Sequence, residues 1–388
     1  MVANSGRKEQ GVSDDLVAPE DHGLDVFLSG PLFLDIVFSG LPTEPRPGTE
    51  VWASGMGSLP GGIANLAVAA SRLGLTTGLA TGFGSDIYGR WCWDLLTDEA
   101  IELSRSVRLT DQHTSVTVSM AYSGDRAMVT HGHDLPMGYD EMIGDPPDAS
   151  AVIIDLDDQR VQERWWRRAS ARGAQVFADI GWDPSESWDP DRLAPLDDCY
   201  AFLPNASEAM AYTLTDTPRA AAVALAERVP LVVVTMGADG AIAIDAESGE
   251  EVFVPALDVP AIDPTGAGDV FLAAFARGTL ADWPLAQRLR FGALCSGLAV
   301  QEFGGSLAAP GAGDLYDWWQ SLDQASRAGD PAAAALHDHY LFLPDILPAR
   351  PGRVTRRAEA TFALDSDLRV DREDQSGWPP THNQGESL

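Results

Sequence analysis

The sequence predicts an α/β protein built on a mostly parallel, doubly wound sheet with helices on both faces. Three observations support this class. Unbroken apolar segments alternate with helical ones in the second half of the chain, glycine-rich turns run into helical segments, and an alternating hairpin pattern lies apart from both. Buried parallel strands are apolar along their whole length because helices cover both faces of their sheet.

Composition excludes several classes of protein. The chain has 388 residues, a hydrophobic content of 45% and a formal net charge of −32, and Lys8 is its only lysine. The apolar content is ample for a core. A nucleic-acid-binding protein needs a basic face, so no nucleic-acid partner is expected. Without a Gly-Lys-Ser/Thr motif, a phosphate loop of the Walker type is also excluded.

The three cysteines, Cys92, Cys199 and Cys295, are dispersed and form neither a metal-binding pair nor a disulfide framework. We therefore expect a cytoplasmic protein. No run of 18 apolar residues occurs, so no membrane association is expected. The polar ends, 1–23 and 351–388, are expected to be a disordered leader and tail around one domain at 24–350.

The first half of the chain begins with a strand at 24–30 and a second apolar run at 31–41 that contains Asp35. This acid either caps a turn or faces the hydroxyl groups of a ligand. A short strand is predicted at 51–53. Together with the hairpin at 114–130, these segments predict a small sheet that covers a site.

Gly61, Gly62 and Asn65 precede an alanine-rich helix that is expected to stop at Gly74. The glycines permit close approach of a ligand and Asn65 offers a donor and an acceptor, although a plain glycine turn with an asparagine cap fits equally well. His131 and His133 close the hairpin. An H-x-H pair needs further ligands to hold zinc, and none is near in the sequence, so solvent-facing or substrate-edge histidines are favoured.

The second half predicts four parallel strands, at 151–157, 174–180, 199–205 and 230–237, which alternate with helical stretches such as 160–171 and 217–228. Ligands bind at the carboxyl ends of such strands. The polar residues at these ends should therefore meet at one edge: Asp155, Asp157, Asp179, Asn205 and Thr235.

Asn205 and Glu208 stand three residues apart at a predicted helix start, where spacing alone favours a capping box over metal binding. Residues 235–242 predict a strand, a glycine turn and a further strand. Helices are predicted at 284–301 and, with loops, over 312–345.

Residues 261–278 are the most informative stretch, because a turn of small residues runs into an amphipathic helix. The N–H groups of Gly266, Ala267 and Gly268 would lie at a helix N-terminus, which binds anions. Asp269 follows directly. A carboxylate beside an anion is repelled unless it has a function, and accepting a proton from an attacking hydroxyl is such a function. The helix dipole alone also favours an acid here.

These motifs resemble those of the ribokinase-like, PfkB-type carbohydrate kinases over residues 24–312. DPTGAGDVFLAAFA matches the second signature of that family, and GG-I-A-N at 61–65 matches the first in part, with Ile63 in place of a small residue. Asn205 with Glu208 resembles the N-x-x-E motif. Thr235, Gly237 and Gly240 resemble the nucleotide loop. The resemblance implies a ribokinase-like fold with a small β-sheet lid at about 32–58 and 113–132.

The resemblance also implies ATP-dependent phosphorylation of a sugar or nucleoside hydroxyl. Asp269 would be the base and residues 266–268 the anion hole. The remaining implied roles are nucleotide, phosphate and magnesium binding by Asn205, Glu208, Thr235, Gly237, Gly240 and Thr265, and acceptor binding by Asp35, Gly61, Gly62, Asn65 and Asp157. Asp263 with the 299–306 loop would hold a monovalent cation (K⁺) as in some relatives. Members of the family often form homodimers through the lid.

One departure from the family concerns the acceptor side. Where many sugar kinases have D-x-N-x-R, this chain has Asp179, Gly181 and Asp183. Three alternatives remain beside the sugar kinase: a nucleoside kinase of the same family, a non-catalytic sugar- or nucleotide-sensing protein, and a dinucleotide-dependent oxidoreductase. The last lacks the G-x-G-x-x-G turn after its first strand.

Overall fold

The computed structural model describes residues 23–122, 125–156, 164–181, 183, 185–302 and 304–348, and the backbone of 363–364. The predicted leader lies outside this range except for Gly23. The predicted tail also lies outside it except for Ala363 and Leu364, which form a short strand.

The strands, in chain order, are β1 Leu24–Ser29, β2 Leu32–Ser39, β3 Gly55–Gly62, β4 Thr77–Ala80, β5 Gly82–Gly84, β6 Val107–Leu109, β7 Val116–Tyr122, β8 Asp125–His131, β9 Ala149–Asp155, β10 Gln175–Asp179, β11 Ala201–Phe202, β12 Leu231–Thr235, β13 Ala241–Asp245, β14 Glu251–Val254 and β15 Ala363–Leu364. The helices are α1 Ile63–Arg72, α2 Ile87–Asp98, α3 Tyr139–Ile143, α4 Trp165–Ser170, α5 Ala206–Thr213, α6 Pro218–Leu225, α7 Ala267–Leu280, α8 Leu285–Ala299, α9 Gly305–Ala308, α10 Ala312–Arg327, α11 Pro331–His339 and α12 Leu343–Ile346.

Eight strands form the main sheet in the order β14-β13-β12-β11-β10-β9-β1-β4. The six from β12 to β4 are parallel, and β13 and β14 extend the edge in antiparallel pairing. This arrangement confirms the predicted mostly parallel α/β sheet. It also brings the carboxyl ends of β9, β10, β11 and β12 to one edge.

The main sheet carries a separate core on each face. Along β1, Val26 and Leu28 pack into one cluster with residues of α1, α7 and α8. Phe27 points the other way, into a cluster with α4, α5 and α6. Because successive side chains of a strand alternate between faces, an entirely apolar strand serves both cores. The prediction of helices on both faces is therefore confirmed.

A second sheet of five strands, in the order β15-β3-β2-β7-β8, forms the predicted small sheet. Its β2 strand and its β7–β8 hairpin lie where the sequence places them. The predicted strand at 51–53 is wrong, because those residues are not in a strand and Trp52 is 79% exposed. The pairing partner of β2 is instead β3, which includes Gly61 and Gly62 and leads into α1.

Local signals set several helix ends as predicted. Gly74 follows α1 with a φ of 89°, and its N–H binds the Ser71 carbonyl. The structure adds a cap that was not predicted, because Asp86 accepts from the N–H of Gly89 at the start of α2. The predicted strand at 199–205 is reduced to β11, Ala201–Phe202, between a 3₁₀ helix at Pro190–Asp198 and Asn205, the N-cap of α5. Of the predicted helix at 160–171, residues 160–163 lie outside the described range, and Trp165–Ser170 form α4.

Among the described residues, none of the helices has the length and apolar character needed to cross a bilayer.

Candidate active site

The turn before α7 has the geometry of an anion-binding loop. Gly266 is the N-cap residue of α7 and has a φ of 75°, a left-handed conformation that favours glycine. A Cβ at Gly266 would lie 3.3 Å from Cα of Gly305 and 3.4 Å from Cγ of Asn65, so the loop packs tightly on its surroundings. The first N–H groups of a helix have no intrahelical acceptor. Here two of these groups have local acceptors: the Ala267 N–H donates to the carbonyl oxygen of Pro264 at 3.2 Å, and the Asp269 N–H donates to its own carboxylate. The helix start still carries the partial positive charge that favours an anion.

Asp269 stands in the first turn of α7, and the side chain of Asn65 hydrogen-bonds its carboxylate. Burial raises the pKa of Asp269 to about 7, with a further increase from Asp155, while the Asn65 hydrogen bond acts in the opposite direction. A carboxylate with a pKa near neutrality accepts a proton more readily than an ordinary aspartate. Asp269 therefore has the position and the proton affinity of a general base.

Asp269 faces a cavity of about 340 Å³ at the carboxyl ends of the parallel strands. The cavity is lined by Gly30, Pro31, Gly62, Ile63, Asn65, Leu66, Ile153, Ile154, Asp155, Asp179, Ile180, Gly181, Leu203, Asn205, Glu208, Thr235, Gly268 and Asp269. We call it the acidic cavity, because its lining within the described part of the chain includes four carboxylates and no arginine or lysine. Among the predicted polar strand ends, only Asp157 is missing from this lining, and it lies outside the described residues.

The acids of this cavity raise one another's proton affinity. Burial raises the pKa of Asp179 well above its usual range, and the charges of Asp269, Asp155 and Glu208 add to the effect. Burial likewise raises the pKa of Glu208 to about 7. Clustered carboxylates are stabilised by a cation, and hard divalent cations such as Mg²⁺ prefer oxygen ligands. The donor set of the acidic cavity therefore fits magnesium.

Asn205 and Glu208 form the capping box of α5, which spacing alone favours. The Asn205 N–H donates to Oε2 of Glu208 at 3.0 Å, and the Glu208 N–H donates to Oδ1 of Asn205 at 3.0 Å. Glu208 is buried and lines the acidic cavity. The same contacts that start the helix thus fix a carboxylate at the cavity wall.

A second cavity, of about 230 Å³, lies on the other side of the anion loop, and we call it the apolar cavity. Thr235, Gly237 and Gly240 line it together with Pro264, Ala267, Gly268 and apolar side chains that include Leu257, Val259, Phe271 and Val300. Thr235 and Gly268 line both cavities. The two cavities therefore meet at the start of α7.

Asp263 connects the anion loop with the loop before α9. Its Oδ1 accepts from the N–H of Thr265 at 2.9 Å, and its Oδ2 accepts from the N–H of Gly304 at 3.3 Å. Both carboxylate oxygens thus hold backbone groups of the two loops. A monovalent cation at Asp263 stays a prediction.

The residues predicted to bind the acceptor divide into two groups. Gly62 and Asn65 line the acidic cavity, whereas Asp35 and Gly61 do not. Asp35 packs against the backbone of Gly61 across the β2–β3 pair, so closely that a side chain at Gly61 would collide with its carboxylate. Asp35 therefore lies in the small sheet, beside the cavity.

Asp183 differs from Asp179 although both belong to the same segment. It is 2% exposed and accepts hydrogen bonds from the backbone of Ser185 and Trp188 and from the hydroxyls of Ser185 and Ser187. These donors hold the pKa of Asp183 well below its usual range. Asp183 thus stabilises its own turn, while Asp179 and Gly181 line the cavity.

Sequence reasoning missed the Asn65–Asp269 contact and assigned no ligand to Asp155 or Asp179. Their position at strand ends was the available signal. Gly30 and Pro31, which also line the acidic cavity, follow β1 directly and gave the same signal.

The chain is similar in sequence to known carbohydrate and nucleoside kinases. A profile of the pfkB family of carbohydrate kinases matches residues 38–311. A nucleoside kinase from Methanothermobacter thermautotrophicus is 27% identical over 279 residues, which cover 70% of this chain and 87% of that protein. The ribokinase of Haemophilus influenzae is 24% identical over 294 residues, which cover 72% of this chain and 94% of that protein.

Solved structures share the fold. Arabidopsis thaliana ribokinase complexed with ribose and ATP has a TM-score of 0.64 and 22% identity, covering 74% of this chain and 96% of that one. Giardia lamblia ribokinase has a TM-score of 0.65 and 20% identity, covering 77% and 99%. These similarities show a ribokinase fold, and the profile match over most of the chain shows that the protein belongs to the pfkB family of carbohydrate kinases.

Proposed function

We propose that this protein is an ATP-dependent kinase that transfers the γ-phosphoryl group to a hydroxyl of a small carbohydrate. One observation carries the proposal: the acidic and the apolar cavity share the wall at Gly268, and Asp269 is the next residue. A phosphoryl donor in one cavity and a hydroxyl in the other would meet at the helix N-terminus, with a base beside them.

In this reaction Asp269 takes the proton of the acceptor hydroxyl while the oxygen of that hydroxyl forms a bond to the γ-phosphorus. The bond between that phosphorus and the bridging oxygen breaks, and ADP leaves. Because its pKa lies near 7, Asp269 is deprotonated above neutral pH and has substantial proton affinity. General-base catalysis of this kind contributes about 10²–10⁴-fold to the rate.

Residues 266–268 form the anion hole in this proposal. The N–H groups at the start of α7 carry partial positive charge, and they stabilise negative charge on the transferring phosphoryl group. Thr265 stands at the loop before them, where Asp263 holds its backbone N–H at 2.9 Å. The loop is thus organised before any ligand binds.

The nucleotide would occupy the apolar cavity, with its base between the apolar side chains and its phosphates directed toward Gly268. Thr235, Gly237 and Gly240 line that cavity. Gly240 is buried and has a φ of 107°, which allows β12 and β13 to turn closely around the site.

Magnesium, when bound, neutralises the charge of the phosphates and of the acidic cavity. Asn205 and Glu208 are placed to hold it, directly or through water. The requirement is strong here because a cavity lined by four carboxylates would repel a bare triphosphate.

The acceptor would bind in the rest of the acidic cavity. Carboxylate oxygens accept hydrogen bonds, so Asp155 and Asp179 suit a ligand with several hydroxyl groups. Gly62 lines the cavity without filling it, and the small sheet that carries Asp35 and Gly61 lies beside it. These features favour a polyhydroxylated acceptor over a purely apolar one.

A nucleoside is the second candidate acceptor. The relative from Methanothermobacter thermautotrophicus is a nucleoside kinase. Pro31, Ile63 and Ile180 provide apolar surface in the acidic cavity, against which a base could pack. A nucleoside also brings ribose hydroxyls for Asp155 and Asp179.

The test is ADP release from ATP and magnesium with a panel of pentoses, ketohexoses, sugar acids and nucleosides. Acceptor-dependent turnover by the wild type establishes the kinase, and the preferred acceptor separates the two candidates. ATP binding without turnover on any acceptor would favour a sensing protein, and failure to bind ATP would overturn the proposal.

A further inference from the structure

Three histidines meet at the base of the small sheet, outside the site described above. His113, His131 and His133 are exposed, and one ligand nitrogen from each lies within 4.8 Å of the others. Their ring centroids are 4.4 to 5.5 Å apart. We call this group the histidine cluster. His113 is far from the H-x-H pair in sequence, so the sequence alone gave no third ligand.

The backbone brings these residues together. His131 ends β8 opposite Val116 of β7, and alternation along the chain directs His131 and His133 to the same side. Gly132, between them, packs against Ser115 so closely that a side chain there would collide with the serine. Gln112 donates to the Asp134 carbonyl at 3.1 Å. Residues on both sides of His113, Gln112 and Ser115, therefore contact the segment that follows β8.

His113 is oriented as a metal ligand would be. Its Nδ1 lies 3.1 Å from the carbonyl oxygen of Thr114, so the proton of a neutral ring is on Nδ1 and Nε2 is available. Thr114 is itself fixed, because it is 2% exposed and its N–H donates to Oδ2 of Asp86 at 2.6 Å. A backbone carbonyl that holds the second nitrogen is the usual partner of a metal-bound histidine.

We propose that the histidine cluster binds one divalent transition-metal ion such as Zn²⁺ through three imidazole nitrogens. Zinc–nitrogen bonds of about 2.0–2.1 Å place tetrahedral ligands about 3.4 Å apart, so small side-chain rotations close the cluster around an ion. Three imidazoles leave one position for water. Imidazole suits zinc, nickel and copper, whereas magnesium prefers oxygen, so this site differs in kind from the acidic cavity.

The proposed metal would link His113, which precedes β7, to His131 and His133 at the end of β8. This is the place where the hairpin of the small sheet meets Asp86, the N-cap of α2. The proposal is independent of the phosphoryl-transfer reaction, and its test does not require turnover.

The experiment titrates the full chain, without an affinity tag, with Co²⁺ and follows the visible absorption of the bound ion. A competition titration with Zn²⁺ then gives the affinity for zinc. The variants are His113→Ala, His131→Ala and His133→Ala. His339→Ala is the matched control, because His339 is also exposed but lies in α11.

We expect the wild type and His339→Ala to bind one equivalent with the same affinity, and each of the three cluster variants to bind at least about tenfold more weakly. An excess of Mg²⁺ should not displace the ion. Circular dichroism of each variant verifies the fold. Equal affinity in the wild type and His131→Ala would overturn the proposal. Unchanged binding by His113→Ala would reduce the site to the H-x-H pair and contradict the three-ligand site.

Discussion

The side-chain amide of Asn65, at the start of α1, hydrogen-bonds the carboxylate of Asp269 in the first turn of α7. Asn65 is 7% exposed, and a side chain added at Gly266 or Gly305 would approach the Asn65 side chain to within 3.4 or 2.8 Å. Asn65 thus hydrogen-bonds the proposed base and leaves no room for a side chain at Gly305. The glycine-rich segment before α1 and the loop before α7 therefore both lead to residues that position the Asp269 carboxylate.

Replacing Asn65 with Ala should raise the pKa of Asp269 further, because the hydrogen bond stabilises the charged carboxylate. A hydrogen bond of about 1 kcal/mol corresponds to a pKa increase of about 0.7. From a pKa of about 7, this lowers the deprotonated fraction of Asp269 at pH 7, and with it the activity, roughly threefold. The measurement is the pH dependence of kcat/KM with the preferred acceptor. The acid limb should move to higher pH in the variant and activity should recover in alkali. An unshifted profile would mean that Asn65 does not act through Asp269.

The stability of the protein should increase as the pH falls from about 8 to about 6. In the folded state the pKa values of Asp269 and Glu208 are raised to about 7, from ordinary values of 3.8 and 4.5. The folded protein therefore binds protons in this range that the unfolded chain does not. Their stabilising effect is complete below the ordinary pKa values and is lost as the pH rises through 7. Together the two groups should raise the free energy of unfolding by roughly 1–3 kcal/mol between pH 8 and pH 6.

Thermal unfolding at several pH values measures this effect. The double variant Asp269→Asn, Glu208→Gln lacks both titrating groups, so its midpoint should depend less on pH over the same range. A wild-type protein that becomes less stable between pH 8 and pH 6 would contradict the assignment of raised pKa values.

Glu208 caps α5 and is proposed to hold magnesium, and two substitutions separate these two roles. Glu208→Gln keeps an acceptor for the Asn205 N–H but removes the charge at the cavity wall. We expect it to fold normally and to need more magnesium for half-maximal turnover. Glu208→Ala also removes the capping interaction and should lose about 1 kcal/mol of unfolding free energy. If both variants need the same magnesium concentration for half-maximal turnover as the wild type, Glu208 is only a helix cap.

Gly240 tests the apolar cavity. A Cβ at this position would collide with the backbone at Val254, and its φ of 107° is strained for any other residue. Gly240→Ala should therefore raise the KM for ATP while changing the KM for the acceptor little. Gly237→Ala is the comparison, because no atom lies near its Cβ and only the cost of the left-handed backbone, about 1–2 kcal/mol, remains. Equal effects on both substrates would argue against a nucleotide in the apolar cavity.

Local sequence signals predicted much of the fold. Apolar strands, glycine turns and the helix-stop residue Gly74 depend on interactions within a few residues, so the local sequence predicts them. The convergence of Asp155, Asp179, Asn205 and Thr235 also followed, because parallel strands share a carboxyl edge.

Contacts between distant segments could not be predicted in the same way. Asn65 meets Asp269, and His113 meets His131, only through the packing of whole elements. The prediction of a strand at 51–53 in the small sheet was wrong for a related reason. A strand exists where a partner is available, and β2 pairs with residues 55–62 instead.

The role of Asp269 is the central claim, and the most direct test compares the wild type with Asp269→Asn in turnover and in ATP binding. Asp282→Asn is a matched control, since Asp282 is exposed just after α7 and has a φ of 54°, which asparagine also adopts. We predict that Asp269→Asn loses about two to four orders of magnitude in kcat and retains ATP affinity, while the control is unchanged. Turnover within a few-fold of the wild type, or loss of ATP binding together with turnover, would contradict the assignment of Asp269 as the base.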